Sequence, residues 1–139
     1  MKIINETIFL QTKGHNDIID ITDRVSELVE NANIKNGTCV LFSVGSTAGI
    51  TTIEYEPGLL KDLPQLLNKL VPAGIPYHHD DTWGDGNGYA HLRSSLIKTS
   101  FTIPIVNGEL TLGRWQQVIF IDFDNRRRER KIIVQITGE

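Results

Sequence analysis

One cysteine, Cys39, occurs in the 139 residues, so no intrachain disulfide can form. It sits in an apolar run, and a reducing compartment is the expected setting. Long apolar stretches are missing as well. The longest, such as Val118-Ile119-Phe120-Ile121, span a few residues, far below the roughly 20 that a membrane-crossing helix requires. Met1 to Glu6 lacks the apolar core of a secretory signal, which makes the cytoplasm the expected location. An excess of positive charge is absent too. A formal net charge of -3 argues against broad attraction to nucleic acid or anionic membrane, so neither is expected as a partner. Linkers, repeats and low-complexity tracts are also lacking, which leaves a single domain over residues 1–139. Its composition, 40% hydrophobic and 22% charged, is that of a globular protein.

The periodicity predicts alternating β and α segments. Lys2 to Thr12 reads as a strand, with Asp17 to Thr22 as its hairpin partner across Lys13-Gly14-His15-Asn16. Val25, Leu28, Val29 and Ala32 follow helical spacing, with Thr22 as the expected cap and Asn36-Gly37 as the stop. Thr38 to Val44 and Ile50 to Glu56 read as strands joined through Gly45-Ser46-Thr47-Ala48-Gly49. Leu59, Leu60, Leu63, Leu66, Leu67, Leu70 and Val71 lie on one helical face. Pro64 inside that pattern either kinks the helix or marks a first turn capped by Asp62. Residues 72–88 show no period. A helix follows with Tyr89, Leu92, Leu96 and Ile97 on its apolar side, which places His91, Ser94, Ser95 and Lys98 on the wet one. Ser100 to Val106 and Glu109 to Leu112 flank the turn dipeptide Asn107-Gly108. Arg114 to Phe123 and Arg130 to Thr137 are expected to pair around Asp124-Asn125-Arg126. The plan is α+β on antiparallel sheet.

The chemistry concentrates between Tyr77 and His91, where three of the four histidines and three aspartates fall. Imidazole and carboxylate together can bind a divalent cation or exchange protons near neutral pH. The same composition also suits a solvated loop built of turns. His79 and His91 are twelve apart, outside the common zinc spacings. The Gly45–Gly49 stretch lets backbone amides approach a phosphate, or simply makes a tight connection; it lacks the lysine of a P-loop. Arg126-Arg127-Arg128-Glu129-Arg130 could grip a phosphate or form a solvated turn. Glu54, in a strand, faces either water or a cleft.

A set of short elements is specific to one family. Ser46-Thr47-Ala48-Gly49-Ile50 is followed by the Glu54 strand leading to Pro57, Leu70-Val71-Pro72 and Tyr77-x-His79. Further along come Asp85-Gly-Asn87-Gly88, Ala90-His91-Leu92, Gly113-Arg-Trp115-Gln116-Gln117 and Asp122-Phe123-Asp124. Across essentially its whole length the chain resembles the YjbQ family, also described as the secondary thiamine-phosphate synthase family. The resemblance implies a curved antiparallel sheet packed with helices, a homotrimer, and the joining of a pyrimidine pyrophosphate to a thiazole phosphate. That activity is regarded as secondary in the family, whose main role is unsettled.

Carried over position by position, the resemblance implies a site of His79, His91, Asn87 and Glu54 as catalytic residues. Ser46, Thr47, Asp85, Gln116 and Arg126 are the expected contacts to a phosphorylated small molecule. His79 and His91 are the expected ligands of any divalent metal, zinc or magnesium. Two places differ from the family, which often has histidine where this chain has Gly45 and Tyr89. The alternative expectation is a homotrimer that binds a small ligand or anion without chemistry of its own.

Overall fold

A computed structural model describes residues 1–139. Eight strands make a strongly curled antiparallel array, divided into two hydrogen-bonded sheets and packed with four helices. In chain order the strands are β1 (Lys2–Thr12), β2 (Asp17–Asp20), β3 (Gly37–Ser43), β4 (Ala48–Ile53), β5 (Ser100–Val106), β6 (Glu109–Leu110), β7 (Gln117–Asp122) and β8 (Arg128–Gly138). The helices are α1 (Thr22–Ala32), α2 (Pro57–Leu70), α3 (His78–Trp83) and α4 (Gly88–Ile97). The larger sheet runs β1-β8-β3-β5-β6 and the smaller β2-β7-β4.

Two expected hairpins exchange partners. β2 does not fold back on β1; it pairs with β7, Asp17 opposite Asp122. β1 pairs instead with β8, Thr12 opposite Arg128. The reason lies in the loop between β1 and β2. Gly14, His15 and Asn16 take successive left-handed conformations with φ of 72°, 54° and 61°. That turn seats against residues 124–126, and the His15 N–H donates to the Asp124 carbonyl at 2.7 Å. A Cβ on Gly14 would stand 2.5 Å from the Arg126 carbonyl oxygen, so only glycine fits. The loops after β1 and after β7 thus meet at one corner of the molecule. The Asn107-Gly108 hairpin forms as its turn chemistry dictates, Val106 opposite Glu109.

β7 is central in its sheet and covered on both faces, which explains its unbroken apolar run. Val118 and Phe120 join the larger core with α1 and the inner side of β1, β3, β5 and β8. Ile119 and Ile121, with Phe123 just beyond the strand, join a smaller core with Leu67, Tyr89 and Ala90 under α2 and α4.

Local details also depart from expectation. Thr22 is the first residue of α1, not its cap: its hydroxyl donates to Asp20 Oδ1 and accepts the Val118 N–H, tying helix to strand. α1 ends earlier than Asn36-Gly37, at a left-handed Asn33. Glu56, rather than Asp62, caps α2, accepting the Gly58 and Leu59 N–H groups, and Pro57 occupies the first turn. Pro64 lies within a helix that continues to Leu70. Residues 78–83, read as aperiodic, form α3. α4 is rotated from its predicted facing. Ala90, Arg93 and Ser94 are buried, and Leu92 and Leu96 are about half exposed. Ser94 donates to the Ala48 carbonyl at 2.6 Å, which turns that side of the helix onto β4.

Candidate functional site

Below the corner where the two loops meet, four charged side chains are interlocked. Asp122 and Asp124 are fully buried. Arg130 grips Asp122 through two parallel bonds, Nε to Oδ2 at 2.7 Å and Nη2 to Oδ1 at 2.8 Å. The Thr12 hydroxyl and the Asp124 N–H also donate to Asp122. Asp124 accepts from Thr47 Oγ1 at 3.0 Å, Asn87 Nδ2 at 3.2 Å, the Asn125 N–H at 2.8 Å and Arg128 Nε at 3.0 Å. Burial works against the charged form of Asp124. The bonds from Asn87, Asn125 and Thr47, together with the Arg128 charge, outweigh it and carry the pKa from 3.8 down to about 2.

On this floor stands a cavity of about 450 Å³, lined by Gly45, Ser46, Thr47, His79, Trp83, Asp85, Asn87, His91, Arg128 and Arg130. Its size suits a small metabolite. Each wall has a local cause. The stretch between β3 and β4 supplies Gly45–Thr47, and Thr47 is fixed by Arg130 Nη2 at 2.7 Å. The start of α4 supplies His91, and Asn87 just before it is anchored on Asp124. α3 supplies His79 and Trp83. Gly88 brings these helices together, because a Cβ there would stand 2.8 Å from the Tyr77 Cβ and 3.2 Å from the His79 Cβ. As a result the His79 and His91 rings lie 4.3 Å apart, centroid to centroid.

The arrangement holds unused capacity. His79 Nδ1 and Asn87 Oδ1 are buried without a hydrogen-bond partner. Asp85 Oδ1 is 3.8 Å from His79 Nδ1, beyond hydrogen-bond reach. Burial, reinforced by the neighbouring His79, lowers the His91 pKa from 6.5, so His91 is neutral at pH 7.

That shift gives a first prediction. In an imidazole NMR titration His91 should protonate below pH 6.5, and His79→Ala should move its midpoint upward. The folded state then binds fewer protons here than the unfolded chain. The His91 contribution to stability is complete above pH 6.5 and declines as pH falls toward its depressed folded value. An unchanged His91 midpoint in His79→Ala would show that the two rings do not interact.

Of the residues expected from the sequence, Ser46, Thr47, His79, Asp85, Asn87 and His91 line the one cavity. Three lie elsewhere. Glu54 is exposed beyond β4. Gln116 is engaged with the Gly113 N–H and the Thr52 hydroxyl. Arg126 is exposed in the loop before β8, and the arginines that reach the cavity are Arg128 and Arg130. Asp122 and Trp83 were missed, and Arg128 and Arg130 were read only as members of the basic run from Arg126 to Arg130, of which Arg126 was the expected contact. A signal for Arg130 exists: Arg128, Arg130, Ile132, Val134 and Ile136 alternate along β8, which puts both arginines on the inward face. Of the two places where the resemblance led histidine to be expected, Gly45 lies in the cavity wall and Tyr89 is buried under Arg93.

No three histidine, cysteine or carboxylate side chains gather closely enough to hold a metal ion. His79 and His91 alone fall short of the three protein ligands that catalytic zinc usually takes. The donor set therefore does not make a three-ligand zinc site. No helix is long and apolar enough to cross a membrane.

Comparison with known proteins places the chain. Residues 6–139 match the model of a family described as UPF0047 protein YjbQ-like. A UPF0047 protein of Archaeoglobus fulgidus is 38% identical over 89% of this chain and 94% of its own. One of Methanothermobacter thermautotrophicus is 36% identical over 100% and 95%. Among solved structures, a YbjQ-like protein of unknown function from Sulfolobus solfataricus superposes with a TM-score of 0.94 at 33% identity, covering 99% of both chains. A family protein of Clostridium acetobutylicum gives 0.86 at 35% identity, covering 95% of this chain and 99% of that one. With sequence, fold and motifs in agreement, the chain belongs to the YjbQ-like UPF0047 family.

Proposed function

We propose that the cavity binds a phosphorylated small molecule and, as a secondary activity implied by the resemblance to the YjbQ family, joins a pyrimidine pyrophosphate to a thiazole phosphate. One observation carries this reading: two buried unpartnered polar atoms, His79 Nδ1 and Asn87 Oδ1, border the same cavity as two arginines. Leaving such atoms unsatisfied costs about 1–3 kcal/mol each, which a ligand offering complementary groups recovers. In the reaction the bond between the pyrimidine methylene and the pyrophosphate oxygen breaks, with the electron pair leaving on oxygen. The thiazole nitrogen lone pair then forms the new C–N bond. Negative charge grows on the departing pyrophosphate, where Arg128 and Arg130 stabilise it. Asp122 and Asp124 occupy Nε and Nη2 of both arginines, so Nη1 of each remains for the ligand. The imidazole pair relays a proton from solvent to the leaving group, and Asn87 orients the substrate.

The direct test is release of pyrophosphate from the two substrates together, with each alone as control. Binding of the substrates without pyrophosphate release would leave only the alternative, an anion-binding protein. A homotrimer belongs to the same proposal. Leu66 and Leu70 on α2, with Leu92 and Leu96 on α4, are each about half exposed, and subunit contact would cover them. Sedimentation should then give about three times the 15.6 kDa chain mass, and a monomer at micromolar concentration would contradict it.

A further inference from the structure

On the far side of Arg128 lies a second opening, a groove of about 470 Å³. Its walls are Gln11, Thr12 and Lys13 from β1 and its loop, and Arg127, Arg128 and Glu129 at the start of β8. No apolar residue lines it. The groove exists because β1 pairs with β8: the swap of hairpin partners brings Lys13, at the end of one strand, beside Arg127, just before the other. Neither Lys13 nor Arg127 forms a salt bridge, nor does Arg126 next to them. In a chain of net charge -3, these unneutralised cations are concentrated at one corner.

Arg128 lines both openings, this groove and the cavity of His79 and His91. Asp124 holds its Nε at 3.0 Å and its Nη2 at 2.8 Å, which fixes the guanidinium as a shared wall. Beneath that wall the two chambers also share a floor, since Thr12 of the groove and Arg130 of the cavity both bond to Asp122. A wall of this kind suits two anions, one on each side. A single half-buried arginine held between two phosphates lessens their mutual repulsion while contacting both.

We infer that the Lys13–Arg127–Arg128 groove is a second phosphate subsite, occupied together with the cavity. It deepens the proposed function, on which it rests for the occupant of the first chamber. Its occupant is a phosphate monoester, carried either by a second molecule or by the far end of one ligand long enough to pass Arg128. For a reaction that joins two phosphorylated molecules, this geometry keeps their anionic groups apart while the rest of each approaches the imidazole pair.

Inorganic phosphate is the probe, followed by calorimetry for stoichiometry and by the His79 and His91 imidazole resonances for occupancy of the cavity. The wild-type chain should take up about two phosphates, weakening as salt rises. The double variant Lys13→Gln/Arg127→Gln, which changes only exposed side chains, should take up about one, with the imidazole response to phosphate retained. Equal stoichiometry in wild type and double variant would overturn the subsite. If the imidazoles do not respond while the groove still binds, the cavity assignment fails instead. A thiazole-type phosphate and a bis-phosphorylated ligand then separate the two sources. Two molecules of the first per chain indicate separate occupants, and one molecule of the second filling both chambers indicates a single bridging one.

Discussion

Alanine at His91 is expected to reduce pyrophosphate release from the two substrates by about 10²- to 10⁴-fold, the usual range for loss of an acid–base group. His79→Ala should fall in the same range. The double variant should lose little more than either single one, because rings 4.3 Å apart act as one proton-handling unit. Both positions are partly exposed, so thermal unfolding should shift little, and loss of rate with retained stability separates chemistry from folding. Glu54→Ala is the internal control. Its side chain is exposed and outside the cavity, so turnover within about twofold of wild type is expected despite its place in the family pattern. Full turnover in both histidine variants would remove the imidazole pair from the mechanism and leave the cavity as a binding site.

The positions of the strands were legible in the sequence, but of their pairings only the Asn107-Gly108 hairpin was. Local turn rules assume that strands adjacent in the chain also lie adjacent in the sheet, which holds in most cases. Here the left-handed run Gly14–Asn16 redirects the chain, and no periodicity encodes that. Facing was misread for α4 for a related reason. Leu92 and Leu96 suggested an inward stripe, yet the helix turns Arg93 inward to donate to the Val71 carbonyl and to Asn16 Oδ1. A buried arginine with partners from distant segments is invisible to a hydrophobic pattern. The polar loop was easier to read, since Asp, Asn and His between two helices have few purely structural uses. His79, Asp85, Asn87 and His91 do line one cavity. Of the basic run Arg126 to Arg130, Arg126 was the expected contact. Strand alternation would have chosen Arg128 and Arg130, whose period of two continues through Ile132, Val134 and Ile136.

Arg130→Ala should destabilise the fold more than any other single change at this site, by about 3–5 kcal/mol. The argument is one of orphaned charge. Removing the guanidinium leaves the Asp122 carboxylate, which has no exposed surface, with only Thr12 and one backbone N–H as donors. For a domain of this size the loss corresponds to a fall in Tm of about 10 °C or more. Arg130→Lys should recover part of it, since charge is kept while the paired donors are lost. A double variant, Asp122→Leu/Arg130→Met, should be less destabilised than Arg130→Ala, because no charge is left buried alone. Asp124 adds a pH signature to the same network. Its folded pKa of about 2 lies below the usual 3.8. Its contribution, about 2–3 kcal/mol by linkage, is complete above pH 4 and is lost as pH falls toward 2. Asn87→Ala removes one of the bonds that hold that pKa down, so acid unfolding should begin at higher pH in that variant. Denaturant midpoints of the wild type and the four variants across pH 2 to 7 decide the matter. An Arg130→Ala chain as stable as wild type would mean that the ion network does not hold the corner together. The placement of Thr47, Asn87 and Arg128 around the cavity would then need another cause, because all three are anchored through Asp124.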